Sequence, residues 1–365
     1  MYMSSLTDSQ PLFTLKHIVL FCSISVLATC NALLAKEVTK INTAITDPWG
    51  VSILDHDQLI VTSKTGAVHI VNLDSDHEQD VGNIPEVNSR NQGGLLDITT
   101  VNRNGQIKVF LCYSKPLPDG TTTLAITESR LIEYQLINQK EIFQANYSSR
   151  SGHHFGCRLV FKGSSLFATL GDRGKRQNAQ DPNTHAGAII RLFRDVNNKE
   201  NGWNHSIYST GHRNPQGLIF DKKHGELWSH EHGPRGGDEI NVIHQGANYG
   251  WPLISYGKEY IGGKIGLDYS PPGYTDPVWT WIPSIAPSGM ILYRGSRFPS
   301  IKGHLLVGSL KFGRIVAVKL DNKNRPISET NWLENLGRVR DIEELSDGRI
   351  VVLIEGRRGG IYVIS

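Results

Sequence analysis

Cysteine is scarce: the chain of 365 residues has 4, and only Cys112 and Cys157 lie beyond residue 30. That excludes a disulfide-dense scaffold and, with no pair of Cys-x-x-Cys motifs, a cysteine-ligated zinc module. Two cysteines can form one bridge, but spacing does not say whether these two meet. An excess of either charge is also lacking. The 38 Lys and Arg against 35 Asp and Glu leave +3, and the basic residues are scattered, so nucleic acid is not an expected partner. Long apolar runs are missing except near the start, where Lys16 and His17 precede Ile18 to Ala28 and small residues follow through Cys30, Ala32 and Ala35. This run is short for a transmembrane helix, and residues 1–35 read as a signal peptide or signal anchor. Leu27-Ala28-Thr29-Cys30 is a poor lipoprotein match. The expectation is a periplasmic or secreted protein whose folded domain occupies residues 36–365.

No long amphipathic helix is evident after that segment. What is present is glycine, 37 residues of it, and a pattern that recurs six times: an apolar stretch, a Gly, Asp or Asn turn, a second apolar stretch, then a third. The units open at Gly50, Gly94, Arg158, Gly217, Gly289 and Asp341. In the second, Leu131 to Tyr134 reads as the third stretch. Short β-rich runs broken by Asn104-Gly105 and Asp347-Gly348 are antiparallel hairpin signals. Six units at roughly 50-residue spacing predict an all-β fold, a six-bladed β-propeller of four-stranded antiparallel blades. The fourth strand of each unit is often obscure. Residues 37–45 read as a strand that completes the last blade and closes the ring. The longest insertions, at 171–187, 194–212 and 246–288, read as ordered loops at one end of the ring.

The stretch that organises the chemistry is His230-Glu-His-Gly-Pro-Arg-Gly-Gly-Asp-Glu-Ile-Asn241, followed by Gly246-Ala-Asn-Tyr-Gly-Trp-Pro252. A rigid Gly- and Pro-rich loop that turns carbonyls and carboxylates toward one point suits a hard cation such as calcium; a plain structural loop is the alternative. His230 and His232 on one strand face would suit zinc, but no third ligand is identifiable. Arg213 offers a fork for a carboxylate, and Pro215 biases Asn214 toward extended backbone. In Arg338-Val339-Arg340, strand alternation puts both arginines on one side, where they repel unless an anion lies between them. Lys311 adds a cation at another strand end. Three blades thus each deliver positive charge to one place, which suits a compact polycarboxylate. His153 and His154 open the third unit; in an extended segment they point oppositely, so one of them reaches the cavity as a general base.

Together these motifs resemble the soluble PQQ-dependent sugar dehydrogenases, the glucose/sorbosone dehydrogenase family, and most nearly its aldose sugar dehydrogenase branch. The resemblance rests on Arg213-Asn-Pro-Gln-Gly-Leu218, His232-Gly-Pro-x-Gly-Gly-Asp-Glu239 and Asn248-Tyr-Gly-Trp-Pro252. Gln92-Gly-Gly-Leu-Leu-Asp97, His154-Phe-Gly-x-Arg-Leu159, Gly308-Ser-Leu-Lys311 and Arg338-Val-Arg-Asp341 join them in order, so it spans roughly residues 40–365. It implies oxidation of aldose sugars at the C1 hydroxyl to lactones, with His154 as base and hydride passing to C5 of PQQ. It further implies that Gln92, Arg213, Asn214, Tyr260, Lys311, Arg338 and Arg340 hold PQQ. Calcium on the Gly233 and Pro234 carbonyls would polarise the quinone, and Glu239 with the Tyr249 carbonyl would form a second, structural calcium site. An external electron acceptor (a quinone, dye or redox protein) is implied, with the chain a monomer or homodimer. Two departures bear on sugar preference. His153 stands where the glucose-specific branch has an acid, and Ile282 where that branch has an aromatic over the cofactor, with Trp279 or Trp281 as substitutes. The competing readings are a non-catalytic extracellular propeller that binds a protein or sugar and a calcium-dependent propeller hydrolase.

Overall fold

A computed structural model describes residues 36–195, 197–198, 202–356 and 359–365. The expected signal segment lies outside the described residues. Twenty-four strands form six four-stranded antiparallel sheets, so the chain is a six-bladed propeller. Blade 1 holds β2 (Pro48–Asp55), β3 (Gln58–Ser63), β4 (Ala67–Asn72) and β5 (Glu78–Val81). Blade 2 holds β6 (Leu95–Arg103), β7 (Gln106–Pro116), β8 (Thr122–Ile132) and β9 (Gln135–Gln144). Blade 3 holds β10 (Gly156–Lys162), β11 (Ser165–Leu170), β12 (Ile189–Arg194) and β13 (Trp203–Ser209). Blade 4 holds β14 (Pro215–Asp221), β15 (Glu226–Glu231), β16 (Asp238–Ile243) and β17 (Trp279–Trp281). Blade 5 holds β18 (Pro287–Leu292), β19 (His304–Ser309), β20 (Arg314–Leu320) and β21 (Pro326–Leu333). Blade 6 combines β22 (Arg338–Glu344), β23 (Ile350–Glu355) and β24 (Gly360–Ile364) with the first strand of the domain, β1 (Val38–Lys40), which pairs with β24 and closes the ring. The closing strand is shorter than the expected 37–45.

The strand sequences explain this layering. Inner and middle strands are buried on both faces, as in β3, buried throughout after Gln58, and β23, buried throughout up to Glu355, so their apolar residues run on without strict alternation. Outer strands such as β21 and β1 are largely exposed. Six apolar clusters each join one pair of neighbouring blades, for example Phe110, Leu124, Leu166 and Ile190 between blades 2 and 3, and Leu59, Val71, Leu353 and Val363 between blades 1 and 6. With every blade packed on two others, the core is a ring.

Three sequence expectations need correction. In the second unit the third strand is β8, and Glu133-Tyr134 is the hairpin turn beyond it, with φ of 45° and 60°. Positive φ at two non-glycine residues leaves no Asn-Gly or Asp-Gly signal to read. The insertion placed at 194–212 contains β13, whose Trp203 packs into the blade 2–3 core, and the one at 246–288 contains β17. Finally, the His153-His154 segment is not extended: His154 has a φ of 52°.

Cys112 on β7 and Cys157 on β10 form a disulfide across blades 2 and 3, with a sequence separation of 45 and both residues fully buried. Replacing both by serine is expected to lower unfolding free energy by about 3 kcal/mol, because the crosslink restricts the unfolded chain. Urea unfolding of the double variant checks this, and an unchanged midpoint and slope would refute it.

Candidate active site

All six innermost strands, β2, β6, β10, β14, β18 and β22, carry a register shift near their start where they pair with the second strand. A bulge re-aims the side chains around it, and these bulges surround the ring axis at one end. Asp97, Arg158, Gln216 and Arg340 sit at four of them. Arg158 Nη1 lies 2.9 Å from Asp341 Oδ2 and 3.2 Å from Asp97 Oδ1, its Nε donates to the Gln216 carbonyl and its Nη2 to the Arg340 carbonyl. The Val51 amide donates to Asp341. One guanidinium and its partners therefore link blades 1, 2, 3, 4 and 6.

Beside this hub opens a cavity of about 500 Å³ lined by residues that include Trp49, Lys64, Gln92, Asn214, Gln216, His232, Lys311, Arg338, Arg340 and Glu355. Five of the seven expected cofactor residues are thus together on one wall. Arg338 and Arg340 face the same side, as alternation predicted, since both bind Glu355 at 2.6 Å. Arg340 Nη1 also donates to Gln216 Oε1. Burial, reinforced by Arg158 and Arg338, lowers the pKa of Arg340. Burial raises that of Glu355, but Arg340 and Arg338 outweigh it and hold the carboxyl below its ordinary range. The wall thus presents Lys64, Lys311, Arg338 and Arg340 against one carboxylate, a net of three positive charges. His232 adds none, because burial pulls its pKa down to about 4 and it bonds the Pro287 carbonyl through Nε2.

Arg213, off this wall, is buried; its Nη1 donates to the carbonyls of His232 and Gly233 at 3.0 Å, while its buried Nε has no hydrogen-bond partner among the described residues. Tyr260, implied as a further contact, is 65% exposed and off the cavity wall. Trp279 and Trp281 both direct their indole N–H to Glu329, leaving Ile282 exposed.

His154 lies at the end of the segment whose Phe155 and Gly156 form part of the wall. Its amide donates to Gln92 Oε1 at 2.7 Å, and its Nδ1 is 2.7 Å from Asp172 Oδ1. Asp172 is fully buried, and Trp251 Nε1 and the Gly174 amide donate to its carboxylate. Burial raises its pKa, but the hydrogen bond and charge of His154 outweigh that and hold it below the ordinary carboxylate range. An ionised Asp172 fixes Nδ1 as the protonated nitrogen of His154. Nε2 then carries the lone pair, and it makes no hydrogen bond among the described residues. Burial, followed by the positive charge of Arg213, lowers the His154 pKa against the opposing pull of Asp172. His153 is exposed.

Asp172, Lys64 and Glu355 were not singled out from sequence. Each sits at or just past the end of its blade's second strand, as His232 and Lys311 do. The available signal was an acid or cation at that recurring position, as in Gly171-Asp172-Arg173-Gly174 and Lys64-Thr65-Gly66.

The expected calcium ligands divide into two places. The Gly233 carbonyl, with that of His232, already attracts a guanidinium, and Asp238 clamps the loop by accepting from the amides of Gly233, Ile285 and Ala286. Such carbonyls fit a hard cation, and Pro234 beside them is buried. Glu239 pairs across the sheet with Glu231, and burial together with Glu231, Asp238 and Asp276 raises its pKa well above the carboxylate range. That like-charged setting fits a cation there as well. The Tyr249 ring stacks on His212, which bonds Glu231, so Tyr249 is held on the same acidic group.

Several known proteins share this architecture. Aldose sugar dehydrogenase YliI of Escherichia coli is 32% identical over 361 residues, covering 95% of this chain and 96% of that protein. The crystal structure of the soluble aldose sugar dehydrogenase from Escherichia coli in the apo-form superposes with a TM-score of 0.81 at 30% identity, covering 90% of this chain and 99% of that one. The PQQ-bound form of aldose sugar dehydrogenase from Streptomyces coelicolor shares the fold, with a TM-score of 0.72 at 23% identity over 90% of this chain and 98% of that one. Residues 45–363 match the Glucose / Sorbosone dehydrogenase family, and the chain belongs to that family.

Proposed function

We propose that this sugar dehydrogenase oxidises the C1 hydroxyl of aldoses to lactones with PQQ and calcium. The observation that carries the reading is the pairing of His154, set in its basic tautomer by buried Asp172, with a cavity whose wall holds three net positive charges. PQQ is a tricarboxylate, and burying it requires matching cations. Lys64, Lys311, Arg338 and Arg340 supply them, and Gln92, Asn214 and Gln216 add neutral hydrogen bonds. When bound, PQQ supplies the hydride acceptor at C5, polarised by calcium on the Gly233 and Pro234 carbonyls. The protein's own part is to hold the sugar at the mouth, take the C1 hydroxyl proton on His154 Nε2 and stabilise the resulting imidazolium through Asp172. Glu239 and the Tyr249 carbonyl would hold a second calcium. Export to the periplasm or outside is part of the reading, and turnover would require an external electron acceptor. A non-catalytic binding propeller would have no use for a base oriented by a buried carboxylate.

The test is reconstitution. Purified protein given PQQ and calcium is expected to reduce a dye with aldoses, and Arg340→Ala to bind PQQ at least about tenfold more weakly, as loss of a charge-assisted hydrogen bond worth roughly 1.5–3 kcal/mol requires. Absence of PQQ-dependent reduction with every aldose, or an unchanged PQQ titration in Arg340→Ala, would count against the assignment.

A further inference from the structure

We propose a further metal centre of a different kind on the outer edge of blade 1, where His69 of β4 and Glu78 and Asp80 of β5 bind a divalent first-row transition ion of the zinc class. The three ligand atoms all lie within 4.8 Å of one another. His69 Nδ1 is 3.1 Å from Glu78 Oε1 and 2.9 Å from Asp80 Oδ1. At those distances a hydrogen bond is expected, yet Nδ1 is buried and makes none that is properly directed among the described residues. A donor N–H wants its acceptor in line. Ligands that share a tetrahedral ion at about 2.1 Å instead sit about 3.4 Å apart and about 35° off the ring nitrogen's axis. Two His–carboxylate separations of this size without a directed N–H bond fit a shared ion.

The surroundings support the ligands. Ser63 Oγ lies 3.3 Å from His69 Nε2, the partner expected to fix a metal-binding imidazole. Glu78 Oε2 accepts from the Ala44 amide at 2.8 Å, which leaves Oε1 turned toward the histidine. The cross-strand register places His69 opposite Asp80, with Glu78 two residues earlier on the same face. Asp80 is 82% exposed, so the open side admits water as further ligands. One imidazole with two carboxylates favours zinc, cobalt or nickel over calcium, which prefers oxygen alone. None of the three residues lines the central cavity. The ion would instead tie short edge strand β5 to β4 and, through Glu78, to the segment that follows the ring-closing strand.

The test uses the full chain freed of metal by chelation, with calcium in excess to fill oxygen-only sites. Titration with Co²⁺ is expected to give one saturable visible-absorption signal per chain, and Zn²⁺ at about 100 times its Kd to raise Tm by about 4 °C. D80N is expected to weaken Co²⁺ binding at least tenfold and H69Q to abolish it. Because Asp80 is so exposed, D80N carries the test even where H69Q loosens β4. No saturable signal and no rise in Tm would overturn the proposal, as would parental binding in both variants, which would mark an adventitious ion only.

Discussion

His154→Ala is expected to keep PQQ and calcium binding and to lose turnover by at least about 10²–10⁴-fold, the contribution typical of a general base. The Gln92 contact survives the substitution because it comes from the residue 154 amide, and neither the cationic wall nor the Gly233 carbonyl involves the imidazole. His154→Asn is the companion variant, since asparagine tolerates the φ of 52° better than most residues. Single-turnover reduction of saturating PQQ separates chemistry from binding. His153→Ala is expected to leave that step near the parent rate and to alter KM or sugar preference, because His153 is exposed and its ring meets that of His154 edge-on at 6.2 Å between centroids. Burial lowers the His154 pKa, so the neutral base persists below the ordinary imidazole value of about 6.5, and the acid limb of kcat/KM is expected to lie beneath it. If His153→Ala stops reduction while His154→Ala does not, the assignment fails.

The largest effect on stability is expected at Arg158. Arg158→Met leaves Asp97 and Asp341 buried without their counter-charge, and breaking a buried ion pair from one side costs about 3–5 kcal/mol. The loss is larger here than at a surface pair because the same guanidinium also satisfies the Gln216 and Arg340 carbonyls. The pH dependence has a definite sign. Burial raises the Asp97 pKa to about 7 and raises that of Asp341 even with Arg158 present. A carboxyl with a raised folded-state pKa contributes its full stability below the unfolded value and loses it as pH rises through the folded one. Without Arg158 both values move further up, so the deficit of Arg158→Met is expected to be greatest near pH 8 and to shrink near pH 5, where the aspartates take up protons. Urea unfolding at the two pH values measures this. Parental stability at pH 8 would show that the hub contributes little.

Much of the molecule was legible in one dimension because it rests on local rules. Six repeats of apolar stretch and turn determined the blade count, since each unit can bury its faces only against neighbours like itself. Arg338 and Arg340 were placed on one side by strand periodicity alone, and their shared contact with Glu355 bears that out. Residues 37–45 marked the closing strand because an extended segment without a hairpin partner needs one from elsewhere.

What only the tertiary structure decided is how distant strand ends meet. Asp172 lies 18 residues from His154 and joins it because the first and second strands of a blade bring their ends to the same face of the ring. Glu355 and Lys64 reach the cavity for the same reason, and no local pattern marks an ordinary acid or lysine after a strand as special. Six bulges re-aim the innermost side chains, and a bulge leaves almost no trace in sequence because it inserts one residue without changing composition. The disulfide belongs to this second group. Cys112 and Cys157 are separated by 45 residues, and they meet because blades 2 and 3 pack face to face. Composition and periodicity were enough to specify the ring; the convergence of charge at its centre depends on its closure.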